Sequence, residues 1–263
     1  MELDQQALYH ISSEGILSRL DPEFCGLTVI CFDTVDSTND EAKRRFRSGL
    51  KSEALFVADC QTNGRGRRGR SFYSPSSTGI YLSLLYPLKA EHSDFLNFTS
   101  KAAVAVCRAL RSVYSVSPMI KWVNDILLDG KKIAGILCEF VTDAQCGDAA
   151  VVTGIGINLS TEIFPDAISD TAGSIGNSSV PRETIVAEIT RELISIFSVS
   201  DTSWLDEYRA LSLVIGRQIT FERNGQVFTG KAVSVDSEAA LVVLRSDGGT
   251  EILNSGEITV RTV

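Results

Sequence analysis

The pattern of residues along the chain changes at Gly216, and this change constrains the fold more than any other feature of the sequence. Beyond it, short β-branched runs are separated by the turn signals Asn224-Gly225 and Asp247-Gly248-Gly249, a pattern typical of a small all-β barrel. Before it, strand-like and helix-like runs follow one another without the strict alternation of a doubly wound sheet. The sequence therefore predicts an α+β domain over residues 1–213, with a mixed sheet flanked by helices, and a small β domain over residues 214–263.

Hydrophobic periodicity and helix-end signals predict the elements of the first domain. Strands are predicted at residues 28–36, 54–60, 79–87 and 149–160, and a strand, a tight turn at Asp129-Gly130 and a second strand are predicted over residues 119–141. Helices are predicted at residues 3–20, 41–49, 93–114, 182–197 and 203–211, and a loop at residues 161–180.

The composition excludes several classes of protein. Of the 263 residues, 44% are hydrophobic and 22% are charged, so the chain is not disordered or of low complexity. Neither a signal peptide nor an apolar run of about 18 residues is present. Six cysteines without a CxxC pair, together with only two histidines, indicate buried thiols rather than a metal site. A cytoplasmic protein is expected.

The charge is distributed unevenly. The formal net charge is −8, yet residues 41–70 hold nine Lys and Arg against three Asp and Glu. An acidic chain is not an obvious nucleic-acid binder. A basic block inside it is therefore the first indication of a functional site.

The run Gly64–Arg70, GRGRRGR, is the sharpest feature of that block. Its three glycines exclude helix and strand, and they let backbone N–H groups approach an anion while the arginines add forked donors. The run matches G-x-G-x-x-G, but a dinucleotide-binding loop has small or apolar residues between its glycines and an acid about twenty residues on, where this chain has Leu84. A solvated basic loop and a polyphosphate or nucleic-acid patch are the other interpretations.

Four further polar groups lie next to the predicted ends of strands. Asp36-Ser37-Thr38-Asn39 fits a helix N-cap, and its hydroxyl and amide groups would also suit a neutral polar ring such as a urea. Lys121-Trp122-Val123-Asn124-Asp125 combines a cation, an aromatic ring, an amide and a carboxylate. Lys131-Lys132 fits a solvated turn, and Asn158 fits the end of a strand. Taken singly, none of these clusters decides between structure and function.

In their order and spacing, these motifs together closely resemble the biotin protein ligases. The resemblance runs from about residue 28 to the C-terminus and depends on Asp36–Asn39, on Gln61 with GRGRRGR, and on KWVND, KKIAGILCE and TGIGINLS. It implies a catalytic domain like those of class II aminoacyl-tRNA synthetases and biotin ligases, followed by an SH3-like barrel. It also implies an enzyme that uses ATP and Mg²⁺ to convert biotin into biotinyl-5′-AMP and transfers biotin to a lysine of a biotin carboxyl carrier protein.

The resemblance implies a role for each matching residue. The implied biotin-binding residues are Ser37, Thr38, Asn39, Gln61, Arg65, Gly66, Arg67 and Lys132. The implied nucleotide-binding residues are Arg68, Arg70, Phe72, Lys121, Asn124, Asp125 and Asn158, with Asp125 as the candidate Mg²⁺ ligand. Arg67, Lys121 and Lys132 are the implied catalytic residues, because cations stabilise an anionic transition state. Val123 replaces the proline usual in the family and removes no functional group, and Phe72 replaces the usual tryptophan and keeps a stacking face.

Only 27 residues precede the first predicted strand, too few for the DNA-binding region that some members of this family carry. A monofunctional ligase without nucleic-acid or membrane partners is therefore expected. The resemblance also implies that the chain can form a homodimer. The nearest alternative is a lipoate-type protein ligase of the same fold, although those relatives lack the GRGRRGR run. A nucleic-acid-binding module that uses the arginine loop is the alternative from a different class.

Overall fold

The computed structural model describes residues 11–88, 95–176, 179–223, 225–254, 256 and 258–260. Seven strands form the first sheet: β1 (Thr28–Val35), β2 (Ala54–Gln61), β3 (Gly79–Leu88), β4 (Met119–Lys121), β5 (Asp125–Leu128), β6 (Lys131–Thr142) and β7 (Ala149–Asn158). The helices are α1 (Ser13–Leu17), α2 (Thr38–Arg47), α3 (Phe95–Tyr114), α4 (Asp166–Ser169), α5 (Arg182–Ser198) and α6 (Ser203–Leu211), and 3₁₀ turns lie at Pro22–Phe24 and Arg67–Gly69. The second sheet contains β8 (Gln218–Arg223), β9 (Gln226–Val235), β10 (Leu241–Arg245), β11 (Thr250–Leu253) and β12 (Ile258–Val260).

The first sheet is mixed, as predicted. Its strand order is β1-β2-β3-β7-β6-β5-β4. Strands β1 and β2 run parallel, and every other neighbouring pair is antiparallel. Helices accompany the sheet, so the predicted α+β class is confirmed.

The two faces of this sheet are covered differently. On one face, fully buried residues such as Leu55, Leu82 and Val151 belong to a large apolar cluster with α3 and α5. On the opposite face, Ala42 and Phe46 of α2 form a smaller cluster with strand residues. Helix α2 therefore leaves room on its own face of the sheet, beside its N-terminus.

Helix α2 begins at Thr38, three residues before its predicted start, and ends just before Gly49, as predicted. Ser37 has an extended backbone and accepts a hydrogen bond from the Asp40 N–H, the usual geometry of an N-cap. Acidic residues lie in the first turn and arginines in the last, which complements the helix dipole. Gly49 follows the helix with φ +107°, the left-handed region that favours glycine.

The predicted strand that starts at residue 119 is broken into β4 and β5, which pair as a hairpin. Trp122 and Val123 are both buried, whereas a strand would point them to opposite faces. Asn124 precedes β5, its backbone carbonyl accepts from the Ile136 N–H, and its side-chain Nδ2 donates to the Ile136 carbonyl. The Trp122–Val123 peptide bond is cis.

Two other regions differ from the sequence prediction. Of the helix predicted at residues 3–20, residues 1–10 lie outside the described residues, and α1 covers only Ser13–Leu17. It starts there because Ser12 is extended and both its N–H and its hydroxyl donate to Glu183 of α5. The predicted loop at residues 161–180 contains the short helix α4, which follows Pro165.

The predicted C-terminal β domain is present as an antiparallel sheet of order β11-β10-β9-β8-β12, with β11 and β12 as its edge strands in the described part of the chain. Its apolar residues, such as Phe221 and Leu241, belong to the same cluster as Tyr208 of α6. Trp122 Nε1 also donates to the Ala239 carbonyl at 3.1 Å. The two sheets thus share one core, and the division after residue 213 stays a prediction.

No helix within the described ranges is long and apolar enough to cross a membrane.

Candidate functional site

The open part of the first sheet, beside α2, has a floor made of glycines. Gly135 of β6 pairs with Gly156 of β7, and Leu137 pairs with Gly154. A Cβ at residue 154 would overlap the Asn39 side chain, and one at residue 156 would overlap the Phe72 ring. These side chains can therefore lie directly on the sheet only because glycines are beneath them. The sequence predicts β6 and β7 as strands, but it does not indicate that their glycines form this floor.

The N-terminus of α2 and the end of β2 form a polar wall along the floor. The Thr38 N–H donates to Gln61 Oε1 at 2.9 Å, and Gln61 Nε2 donates to Ser74 Oγ at 3.0 Å. Ser37, Thr38 and Asn39 are all buried. The structure thus brings the predicted Ser-Thr-Asn cluster and Gln61 together.

Ser83 of β3, fully buried and absent from the sequence prediction, orders this wall from behind. Its Oγ lies 2.7 Å from Thr38 Oγ1 and donates to Asn39 Oδ1 at 2.6 Å. Asn39 Nδ2 donates to the Leu137 carbonyl at 3.1 Å and to Glu139 Oε2 at 2.9 Å. Because both amide protons of Asn39 are used, this side chain can offer a ligand only a lone pair on Oδ1.

The Gly64–Arg70 run folds back on itself above the floor. The Gly66 N–H donates to the Arg70 carbonyl at 2.7 Å, and the Phe72 N–H donates to the Gly64 carbonyl at 2.9 Å. Arg68 has a left-handed backbone, with φ 56°. Arg67 Nη1 donates to Asn124 Oδ1 at 3.1 Å, which ties the loop to the KWVND segment. The run is therefore an ordered loop that links the two principal motifs.

Two adjoining cavities open beside this loop. The smaller has a volume of about 50 Å³, and its lining includes Ser37, Thr38, Asn39, Gln61, Arg65, Gly66, Arg67 and Lys132. The larger has a volume of about 520 Å³, and its lining includes Arg70, Phe72, Lys121, Asn124, Asp125 and Asn158. The residues Gly66, Arg67, Phe72, Asn124 and Lys132 line both. Of the predicted site residues, only Arg68 lines neither.

Lys132 lies at the junction of the two cavities. Its Nζ is 2.6 Å from Asp125 Oδ1. Its backbone is bonded to the segment after β7, since the Lys132 N–H donates to the Thr171 carbonyl and the Gly173 N–H donates back to the Lys132 carbonyl. That segment also receives a hydrogen bond from Asn158 Nδ2, at the Gly173 carbonyl. Thr171 also lines the larger cavity. The sequence predicts only a loop here and does not indicate a site residue.

Asp125 is the one carboxylate among the described residues that line the two cavities. The described residues contain no group of three or more metal-ligating side chains that could hold an ion. Proteins often bind Mg²⁺ through one or two carboxylates while substrate phosphates and water supply the other ligands. Asp125, whose Oδ1 pairs with Lys132, could therefore supply one ligand to a magnesium ion that arrives with a polyphosphate, and it does not by itself make a resident metal centre.

At least five of the nine cations of the basic block pair with nearby carboxylates. Its paired cations are Lys43, Arg44, Arg45, Lys51 and Arg65. The hydrogen bonds from Arg44 lower the pKa of Asp36 to about 2. The block is thus an ion-paired surface rather than a bare basic patch.

Comparison with known proteins agrees with this fold. Residues 31–158 match the Biotin/lipoate A/B protein ligase family, and residues 214–261 match the Biotin protein ligase C terminal domain. The biotin–[acetyl-CoA-carboxylase] ligase of Paracoccus denitrificans is 33% identical over 241 residues, which cover 85% of this chain and 96% of that protein. The protein of the same name from Mycobacterium tuberculosis is 31% identical over 234 residues, or 84% and 85% of the two chains.

A solved structure, the biotin protein ligase from Aquifex aeolicus in complex with biotin and ATP, superimposes with a TM-score of 0.75. It has 26% sequence identity and covers 90% of this chain and 99% of that one. The mixed sheet, the glycine floor and the arginine loop thus define a protein of the biotin and lipoate ligase class. Within that class, this chain belongs to the biotin protein ligase family.

Proposed function

We propose that this chain is an ATP-dependent biotin protein ligase. In the first step, a carboxylate oxygen of biotin attacks the α-phosphorus of ATP, and pyrophosphate leaves with the electrons of the broken P–O bond. In the second, the neutral amine of a carrier lysine attacks the acyl carbon, loses a proton, and displaces AMP. The observation that supports this most is the pair of adjoining cavities with Arg67 and Lys132 at their junction.

The polar groups that line the smaller cavity suit the ureido ring of biotin. Since Asn39 can only accept a hydrogen bond from a ligand, a ligand that bonds to it must bring a donor, which the N–H groups of a urea supply. Ser37, Thr38 and Gln61 supply the neighbouring hydroxyl and amide groups. We assign these residues to the ureido end.

Arg65, Gly66, Arg67 and Lys132 are assigned to the biotin carboxylate and then to the adenylate phosphate. Cations at this junction stabilise the charge that develops as the carboxylate meets the phosphate. Arg68 and Arg70 are assigned to closure of the loop, which keeps water from the hydrolysable mixed anhydride.

The larger cavity, of about 520 Å³, falls within the volume range of small-molecule sites. Lys121 and Asn124, with Phe72, Asp125 and Asn158, are assigned to ATP. Magnesium, when bound with the nucleotide, would neutralise phosphate charge, and Asp125 would hold it.

The names of the Paracoccus and Mycobacterium relatives point to an acetyl-CoA carboxylase as the protein acceptor. We extend this to a biotin carboxyl carrier protein as the partner of this chain. A homodimer and a cytoplasmic location stay predictions.

Pyrophosphate release tests the proposal. The protein is incubated with ATP and Mg²⁺ and with biotin, lipoate or neither, and we expect release that depends on biotin. Adding a carrier domain should yield a biotinylated lysine, detected by mass spectrometry. Release with lipoate alone would favour the lipoate-type alternative, and release without either acid would contradict both.

A further inference from the structure

Four charged side chains close a ring at the edge of the smaller cavity. Asp40 and Lys43 belong to α2, Arg65 to the loop and Glu139 to β6. Lys43 Nζ lies 2.8 Å from Asp40 Oδ1 and 3.0 Å from Glu139 Oε1. Arg65 Nη1 lies 2.6 Å from Asp40 Oδ1, and its Nη2 lies 3.3 Å from Glu139 Oε1. Each cation therefore contacts both carboxylates.

Glu139 also reaches into the polar wall with its second oxygen, because Oε2 accepts the hydrogen bond from Asn39 Nδ2. One carboxylate thus connects the side chain assigned to the ureido ring with the loop that covers the cavity. No other residue of the ring contacts Asn39 through its side chain in the described structure.

The ring is partly shielded from water. The exposed fractions of the side chains are 12% for Lys43, 20% for Glu139, 25% for Asp40 and 41% for Arg65. Burial acts to raise the pKa of Asp40, but the hydrogen bonds from Lys43 and Arg65 outweigh it and hold the pKa below its usual value. Asp40 is therefore ionised at neutral pH, and its attraction for Arg65 is less screened than that of an open surface pair.

The closed loop leaves little space. At about 50 Å³, the smaller cavity is far below the 300–1,000 Å³ typical of ligand sites. A bicyclic ligand can enter only if the loop or the Phe72 ring moves, and contacts between the loop and the body of the protein then resist that movement.

We propose that Glu139 is a positioning residue for biotin activation: it orients Asn39 toward the ligand and, together with Asp40, holds Arg65 so that the loop closes over the bound adenylate. The inference rests on the proposed function and adds to it two carboxylates that contact no reacting atom. It also gives Arg65 a second role, as the side chain through which the loop is held.

Retention of biotinyl-AMP tests the inference. The wild-type protein is loaded with biotin and ATP, separated from free ligand and mixed with excess unlabelled biotin, and the bound adenylate is followed with time. Glu139→Gln and Asp40→Asn should each shorten its half-life by about tenfold, the scale of losing one hydrogen bond to a charged group. Raising the salt concentration should accelerate release from the wild type and have less effect on the variants.

The two variants separate the two roles of Glu139. Only Glu139→Gln changes the residue that touches Asn39, so it should raise the KM for biotin more than Asp40→Asn does. Glu41→Gln is the matched control, because Glu41 lies on the same helix and pairs with Arg44 and Arg45 instead of the loop. Its adenylate half-life should equal that of the wild type.

The outcomes distinguish the inference from the proposed function. A wild-type protein that forms no biotinyl-AMP overturns both. An active wild type whose adenylate half-life is unchanged in both variants overturns the inference alone. Thermal unfolding midpoints are measured in parallel, and Asp40→Asn carries the retention test if Glu139→Gln does not fold.

Discussion

Gly154 lies on β7 against the side chain of Asn39, and a Cβ at this position would overlap Asn39 Oδ1. Asn39 cannot move aside without losing hydrogen bonds, because its side-chain amide is bonded to Ser83, Leu137 and Glu139. The absence of a side chain at residue 154 is therefore part of the candidate binding site.

We expect Gly154→Ala to raise the KM for biotin by about tenfold or more while the KM for ATP changes little. The new methyl group displaces Asn39 from its hydrogen bonds, and crowding of this kind costs about 1–3 kcal/mol. Steady-state pyrophosphate release with each substrate varied in turn measures this. Gly26→Ala is the control, since a Cβ there meets no atom within 4 Å. An unchanged KM for biotin would contradict the role of the glycine floor.

Site residues that form a recognisable motif could be predicted from the sequence. The residues that hold them in place by hydrogen bonds could not. Ser37–Asn39, Gln61 and the arginine loop stand out as motifs. Ser83 and Glu139 do not, because Ser83 acts on a partner 44 residues away and Glu139 on one 100 residues away. No local pattern records such a contact.

At the scale of elements, α2 illustrates how charge stabilises a helix end that also carries a site. Asp36 accepts a hydrogen bond from the Ser37 N–H at 2.7 Å, and its two carboxylate oxygens pair with Arg44. The N-terminus of α2, which bears the polar wall, is thereby fixed to the last turn of the same helix.

This pairing makes stability depend on pH. The pKa of Asp36 is lowered to about 2 in the folded protein, against about 3.9 for an ordinary aspartate. Its stabilising contribution is therefore complete above about pH 4 and is lost as the pH falls toward 2. We expect Asp36→Asn to flatten the fall of the urea unfolding midpoint between pH 4 and pH 2. Asp206→Asn, on the exposed face of α6, should leave that slope unchanged, and a wild-type slope in Asp36→Asn would contradict the assignment.

Element boundaries could be predicted where a cap or a glycine marks them, as at Ser37 and Gly49. The break between β4 and β5 could not, because Trp122 and Val123 read as a continuation of the strand. Their burial depends on packing against distant residues, such as the bond from Trp122 to the Ala239 carbonyl.

At the scale of the whole molecule, the two sheets are joined by a common core. Arg209 Nε donates to the Val235 carbonyl at 2.9 Å, and the Leu213 N–H donates to the Ile120 carbonyl at 2.8 Å. Thr259 of β12 lines the larger cavity together with residues of the first sheet. The change in residue pattern after Gly216 predicts two structural parts. It does not predict that residues from both parts line one cavity, because the order of residues along the chain does not determine how two sheets pack together.

Trp122→Phe should destabilise the protein by about 1–3 kcal/mol, because it leaves the buried Ala239 carbonyl without its donor. Unfolding should remain a single transition, since the core is continuous across both sheets. Urea titrations followed by far-UV circular dichroism and by the fluorescence of Trp204, the one tryptophan left, measure this. Two separate transitions in the wild type would show that the sheets unfold independently.

The pairing of the basic block has a consequence for how ligands arrive. From solvent, an anion approaches a molecule with a formal charge of −8, and Arg44 and Arg45 of α2 are already paired with carboxylates. The field of the cations at the cavity junction is screened with a decay length of about 8 Å at physiological salt. The net charge therefore gives an approaching nucleotide no attraction, and its capture depends on the local field of these cations.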